Sequence, residues 1–276
     1  MAEGQGRRPR GGGARIHHVV QSDIRLKVIG SSSSVPRPSR ACSCYLVRSR
    51  EASILFDLGS GAFSNLRDAF DYTDLDAVVI SHMHADHFLD LIPLRYALKY
   101  GPLVREGRLT LYLPPGGADV LRQICAAFPP EGAGSFLDEV FNLHEYDMRQ
   151  PLEINDLRLT FTRTVHYIES YAVRAECQTS SLVYSSDTAP CESVVNLAKN
   201  AELFLCECTL GLGEEESPRG HTSSREAGRM AKEAEVGRLV LTHYGSDYAP
   251  GELEDYAEQE FRGPTAVADD GLELSI

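Results

Sequence analysis

His82-Met-His-Ala-Asp-His87 places three imidazoles and a carboxylate within six residues. The run follows directly on Asp76-Ala-Val-Val-Ile80, which reads as a short buried strand. Loops at strand ends are where α/β folds place their chemistry. Imidazole and carboxylate together suit zinc, manganese or iron. A lone histidine would more simply be a satisfied core residue, but three packed this closely would compete for the same space.

The chain has nine histidines, and three more of them stand in comparable places. His166 follows a strand, His221 lies in Gly220-His-Thr-Ser-Ser224, and His243 ends Leu239-Val-Leu-Thr242. Asp187, in Tyr184-Ser-Ser-Asp-Thr188, on its own reads more simply as a turn former than as a ligand. His17, His18 and His144 carry no ligand-like context and are expected at the surface.

The elements that must position these residues alternate in type. Strands are predicted over Ile24–Ile29, Cys44–Val47, Ser53–Asp57, Asp76–Ile80 and Leu109–Leu113. Further along they are predicted over Leu157–Phe161, Tyr171–Arg174, Ser181–Tyr184, Leu203–Cys206 and Leu239–Thr242. Helices are expected over Ala62–Phe70, Phe88–Tyr100, Val120–Phe128, Ser223–Ala234 and Leu253–Phe261. Strands precede helices in both halves, which fits one layered α/β domain over residues 24–276. The segment from Leu103 to Gln150 could shape a pocket. Arg105, Arg108 and Tyr112 within it are by default solvated surface.

Residues 1–23 read differently. Their Gly/Arg-rich composition lacks an apolar stretch, predicting a disordered tail and no secretory signal. Arg7, Arg8, Arg10 and Arg15 would give it a weak attraction for phosphate. No run reaches the roughly 18 apolar residues of a membrane span, so no membrane association is expected. The seven cysteines include no C-x-x-C pair; the i,i+2 pairs Cys42/Cys44 and Cys206/Cys208 read as small buried hydrophobes, and a reducing cytoplasm is the expected compartment. The net charge of −13 disfavours long nucleic acid as a partner, although bound cations would reverse the sign locally.

Ser81-His-Met-His-Ala-Asp-His87, with His166, Asp187 and His243 following in order, resembles the signature of the metallo-β-lactamase superfamily. Val28-Ile-Gly-Ser31, Pro36, Ser43 and His221 resemble its ribonuclease Z-like branch. The resemblance runs from about Ile24 to the C-terminus and implies a single-domain, four-layer αββα sandwich. It further implies two divalent metal ions, zinc first, with manganese or iron able to substitute. His82, His84 and His166 would hold one; Asp86, His87 and His243 would hold the other, with Asp187 between them. Two cations about 3.5–4 Å apart can activate a water molecule near neutral pH.

The resemblance also makes His221 a phosphate-stabilising group or proton donor to the leaving oxygen. Its bland alternative is a loop histidine capping the next helix. Glu207 could orient His221, or be a solvated strand-end carboxylate. Asp86 could align the attacking water, and Asp57 is expected to support the loop structurally. Within the branch, transfer RNA 3′-processing enzymes carry a long arm between the third-motif histidine and the bridging aspartate. Here 21 positions separate His166 from Asp187, which leaves no room for it. The expected substrate is therefore a small phosphodiester such as a cyclic or short nucleotide. A ribonuclease Z-type endonuclease and a lactonase-type C–O hydrolase are the alternatives, and a homodimer is compatible with the branch.

Overall fold

A computed structural model describes residues 1, 23–128, 133–213, 216–245 and 248–276. The expected tail, with His17 and His18, therefore lies outside the described residues apart from Met1 and Asp23.

The first half of the chain runs β1 (Arg25–Gly30), β2 (Cys44–Arg48), β3 (Ser53–Phe56), α1 (Ala62–Ala69) and β4 (Ala77–Val79). It continues through α2 (Ala85–Phe88), α3 (Leu91–Tyr100), β5 (Leu109–Leu113), α4 (Gly117–Cys125), α5 (Ala133–Asp138) and β6 (Phe141–Glu145). The second half runs β7 (Leu152–Ile154), β8 (Leu157–Arg163), β9 (Tyr171–Cys177), β10 (Ser180–Tyr184), α6 (Glu192–Ala198) and β11 (Leu203–Glu207). It ends with α7 (Ser224–Glu233), β12 (Leu239–Thr242), α8 (Pro250–Glu258), β13 (Thr265–Val267) and β14 (Glu273–Ser275).

These strands form two seven-stranded sheets, ordered β14-β1-β2-β3-β4-β5-β6 and β13-β12-β11-β10-β9-β8-β7. Three apolar clusters define the layers. Leu26, Val47, Ile54 and Phe56 of one sheet meet Leu159, Val173, Leu182 and Leu205 of the other in the central interface. Phe63, Leu66, Leu94 and Leu121 cover the outer face of the first sheet. Val194, Ala227, Met230 and Leu253 cover that of the second. Each fully buried Leu, Ile or Phe contributes about 1.5–3 kcal/mol, so both faces of both sheets must be covered. The result is the αββα sandwich that the resemblance implied. Among the described residues, no helix is long and apolar enough to cross a membrane.

Strand direction determines where the chemistry gathers. β3 and β4 are parallel, as are β10, β11 and β12. β8 and β10 both pair antiparallel with β9, so they too run the same way. The carboxyl ends of β3, β4, β8, β10, β11 and β12 thereby supply the loops of one rim. A bridge between His82 and Ser170 ties the two sheets together there.

Two expectations need correction. The helix expected to run unbroken over Phe88–Tyr100 is two helices, α2 and α3, parted at Leu89 and Asp90. Pro93 forces the break, because its ring would clash with the carbonyl of residue 89 in a continuous helix. In the first turn of α3 the missing amide costs nothing. Among the described residues of the segment Leu103–Gln150, none lines the cleft described below; they build one edge of the first sheet and its covering helices. Arg105 serves that edge, donating to the carbonyls of Thr73 and Leu75 at 2.5 and 2.7 Å.

Candidate metal centre

The buried strand β4 releases the chain at Ile80, and Ser81–His84 cross the rim before α2 begins. His84 stands at the N-cap of α2, so Asp86 and His87 fall in its single turn. His166 enters from the β8–β9 connection, Asp187 from the end of β10, and His243 from the end of β12. His243 and Asp57 adopt left-handed backbone, with φ of 53° and 58°. Such strain at non-glycine residues persists only where surrounding structure holds it.

All seven expected ligand residues converge in two sets. In one, Nδ1 of His84 lies 3.2 Å from Nε2 of His82 and 3.1 Å from Nε2 of His166. In the other, Nε2 of His243 lies 3.2 Å from Nε2 of His87 and 3.2 Å from Oδ2 of Asp86. Asp187 stands between the sets. Its Oδ2 is 3.7 and 3.9 Å from Nε2 of His82 and His166. Its Oδ1 is 3.4 and 3.6 Å from Nε2 of His87 and His243.

Surrounding groups fix the tautomers. Nδ1 of His166 donates to the Gly220 carbonyl and Nδ1 of His87 to Asp57, each over 2.8 Å. Nδ1 of His243 meets Thr209 Oγ1 at 2.8 Å, while that hydroxyl donates to the His243 carbonyl. Ser81 Oγ donates to Asp57 and so accepts from Nδ1 of His82 at 3.1 Å. With their protons committed outward, these four rings turn Nε2 lone pairs inward.

Two observations test whether a cation fits. Zinc–nitrogen bonds of about 2.0–2.1 Å place tetrahedral neighbours about 3.3–3.4 Å apart, close to the nitrogen spacings in both sets. Inward lone pairs that close repel unless a positive charge lies between them. Asp187 Oδ1 is buried with no hydrogen-bond partner, although an unpaired buried carboxylate oxygen is costly. The donor set fits a divalent cation in each half.

Electrostatics favour neutral rings at three of these histidines and positive charge at the fourth. Burial lowers the proton affinity of His82, His84 and His166, leaving neutral imidazoles. Burial acts the same way on His87, but Asp187 and Asp57 outweigh it and draw positive charge to that ring. Burial would raise both Asp86 and Asp187, yet the neighbouring histidines hold them well below the usual carboxylate range.

The remaining residues frame a cleft of about 320 Å³ lined by Ser34, His84, Ala85, Asp86, Asp187, Thr209, His221 and His243. Nδ1 of His221 lies 2.9 Å from Oε1 of Glu207. Glu207 is buried, so the solvated alternative is excluded for it. His221 is not the cap of α7; Ser223 and Glu226 form a capping box there. Asp57 is structural, as expected, accepting also from the Ser81 amide at 2.7 Å and the Tyr184 hydroxyl at 2.9 Å. His144 is exposed, and six of the seven cysteines are buried.

Sequence reasoning missed Thr209, Tyr184, the Gly220 carbonyl, and Ser186, whose Oγ lies 3.3 Å from Nδ1 of His82. Tyr184 lies in the Tyr-Ser-Ser-Asp segment that was read only for its aspartate, and nothing local marks a backbone carbonyl as a partner.

The profile of the family described as "Beta-lactamase superfamily domain" matches residues 53–244. The chain is 32% identical to a probable metallo-hydrolase, YhfI, of Bacillus subtilis over 249 residues, covering 90% of this chain and 98% of that protein. The crystal structure of YhfI superposes with a TM-score of 0.83 at 29% identity, covering 92% of this chain and all of that one. A ribonuclease Z of Myxococcus xanthus is 29% identical over 303 positions, covering 92% of this chain and 98% of the relative. Matched by that profile and related to a metallo-hydrolase along nearly its whole length, the chain belongs to the metallo-β-lactamase superfamily, with the ribonuclease Z-like branch among its relatives.

Proposed function

We propose that the chain is a dinuclear metallophosphodiesterase acting on cyclic or short nucleotide phosphodiesters. His82, His84 and His166 would hold one divalent cation, and Asp86, His87 and His243 the other. Asp187 would turn one carboxylate oxygen to each. Zinc suits this donor set, with manganese or iron as substitutes. Two such ions would bring the pKa of a water molecule toward neutrality and offset charge on the phosphoryl oxygens.

The observation that carries the reading is the Glu207–His221 pair on the wall of that cleft. Glu207 accepts from Nδ1 of His221 and holds the ring in place, so that Nε2 would be the nitrogen that passes a proton to a leaving alkoxide. Asp86, held at low basicity, orients the attacking water by accepting its hydrogen bond.

Small substrates are favoured over precursor transfer RNA by the interval from His166 to Asp187, which holds only a short connection, β9 and β10. The alignment with the Myxococcus ribonuclease Z spans 303 positions against this chain's 276 residues, so that relative carries segments absent here.

A substrate panel on metal-reconstituted protein tests the proposal. It compares 3′,5′-cyclic and 2′,3′-cyclic nucleotides, short RNA, precursor transfer RNA and lactones. Turnover of cyclic or short phosphodiesters is expected; efficient, site-specific cutting of precursor transfer RNA or a preference for lactones overturns it.

A further inference from the structure

The connection from β8 to β9 carries a turn in which Val165, Tyr167 and Ile168 are exposed beside His166 and Glu169. Its base is anchored. The Thr164 amide donates to the Ser170 carbonyl over 3.0 Å, and the Ala189 amide to the Val165 carbonyl over 2.7 Å. Thr164 Oγ1 donates to the carbonyl of Asp187 over 2.8 Å. The turn is therefore fixed relative to the metal centre.

The Tyr167 ring centroid lies 5.1 Å from that of His166 and 5.7 Å from that of His221. The Gly220 backbone passes so close that a Cβ there would come within 2.6 Å of the ring carbons. Glycine at 220 thus lets the tyrosine lie against the approach to His221. Even so, Tyr167 is 52% exposed, with Val165 at 47% and Ile168 at 38% beside it. One exposed apolar residue is ordinary, but three together beside a cleft floored by imidazoles and carboxylates mark a contact surface.

The geometry points to Tyr167 as the platform on which the planar base of a nucleotide substrate stacks while its phosphodiester lies against His221 and the candidate metal ligands. This assignment rests on the phosphodiesterase reading and names what that substrate must carry. A phosphate is served by the polar floor alone. A nucleobase has two apolar faces, and an aromatic ring holds either one with little regard to base identity. Val165 and Ile168 add apolar area and no hydrogen-bonding side chain. The platform therefore distinguishes base-bearing from base-free phosphodiesters, not adenine from guanine.

The test uses metal-loaded full-length protein and the variants Tyr167→Ala, Tyr167→Phe and Tyr167→Trp. Substrates are 3′,5′-cyclic adenosine and guanosine monophosphates and the 3′,5′-cyclic phosphate of an abasic ribose. Tyr167→Ala is expected to raise KM for both nucleotides about 10-fold, with kcat within about twofold and abasic KM unchanged. Phe and Trp restore wild-type KM. Calorimetry supplies a readout besides turnover: adenosine 5′-monophosphate should bind wild type more tightly than ribose 5-phosphate, and Tyr167→Ala should remove that preference. Equal effects on base-bearing and abasic substrates, or no effect, overturn the platform alone. A base-independent change accompanied by altered oligomeric state assigns the turn to a second copy and overturns it as well. Wild type that turns over no phosphodiester overturns the phosphodiesterase reading first, and the platform with it.

Discussion

The Glu207 carboxylate meets His221 through Oε1 at 2.9 Å, and both its oxygens are also held by backbone amides. Oε1 accepts from Thr188 and Oε2 from Thr209, each over 2.9 Å. A buried carboxylate tied in this way cannot swing, so it fixes the imidazole relative to Asp187 and His243.

Because His221 is outside the two ligand sets, His221→Ala should separate chemistry from metal binding. Metal content is expected to stay at the wild-type level while turnover of phosphodiesters falls roughly 100-fold or more. Glu207→Gln keeps the backbone contact to Oε1 but removes the carboxylate that holds the ring. It should lower kcat with metal content unchanged. Unchanged turnover in His221→Ala would remove the role assigned to it.

Asp187 gives the opposite pattern. It is the residue shared by both histidine sets, one oxygen facing each. Asp187→Ala should lose metal and turnover together, read by elemental analysis beside the assay. Full metal occupancy in that variant would show that the two sets bind independently, without the bridge.

How far the sequence reveals this centre depends on which kind of contact is asked about. The candidate ligands were legible because they follow β4, β8, β10 and β12 and their types match one donor chemistry, from His82 through His243. Glu207 was legible only as a guess, since its distance from His221 follows from the parallel packing of β10, β11 and β12 and not from local spacing. Tyr184 was illegible: its place at the end of a wholly buried strand, β10, says that it is buried and cannot say that its hydroxyl crosses the sheet interface to Asp57. The α2–α3 break was available in Pro93, whose effect reaches back four residues. The edge elements α5, β6, β7, β13 and β14 lacked signal because short, half-exposed segments carry no clear period.

That Tyr184 contact makes a prediction of its own. Oδ2 of Asp57 receives the Tyr184 hydroxyl at 2.9 Å and Nδ1 of His87 at 2.8 Å. Removing the hydroxyl takes away one of the four hydrogen bonds that hold the carboxylate, the others coming from the Ser81 amide, Ser81 Oγ and His87, and so loosens the His87 ring. Partners one step beyond a ligand typically tune affinity 10–100-fold. Tyr184→Phe should therefore weaken metal binding by about 10-fold, and Asp57→Asn by more, in competition with a chromogenic chelator. Circular dichroism should show both variants folded. Wild-type affinity in Asp57→Asn would mean that His87 needs no outer partner.

Titration beyond the metal centre gives a last prediction. Burial pushes the Cys42 thiol up to about 12 and the Cys125 and Cys177 thiols to about 11, and raises Cys44, Cys206 and Cys208 as well. Cys191 alone is half-buried. At pH 8 the native protein should label with iodoacetamide at one thiol, and at seven in denaturant, counted by mass spectrometry. The same shifts set the sign of alkaline stability. Above an ordinary thiol value near 9, the unfolded chain releases protons that the folded protein keeps. The folded state then binds more protons, so stability falls as pH rises. Buried Tyr146 and Tyr184, likewise raised by desolvation, extend the loss beyond pH 10. The Tm of metal-free protein should decline steadily from pH 9 to 11. A flat profile across that range, or rapid native labelling of several thiols, would show that the strands around these cysteines open far more readily than their packing implies.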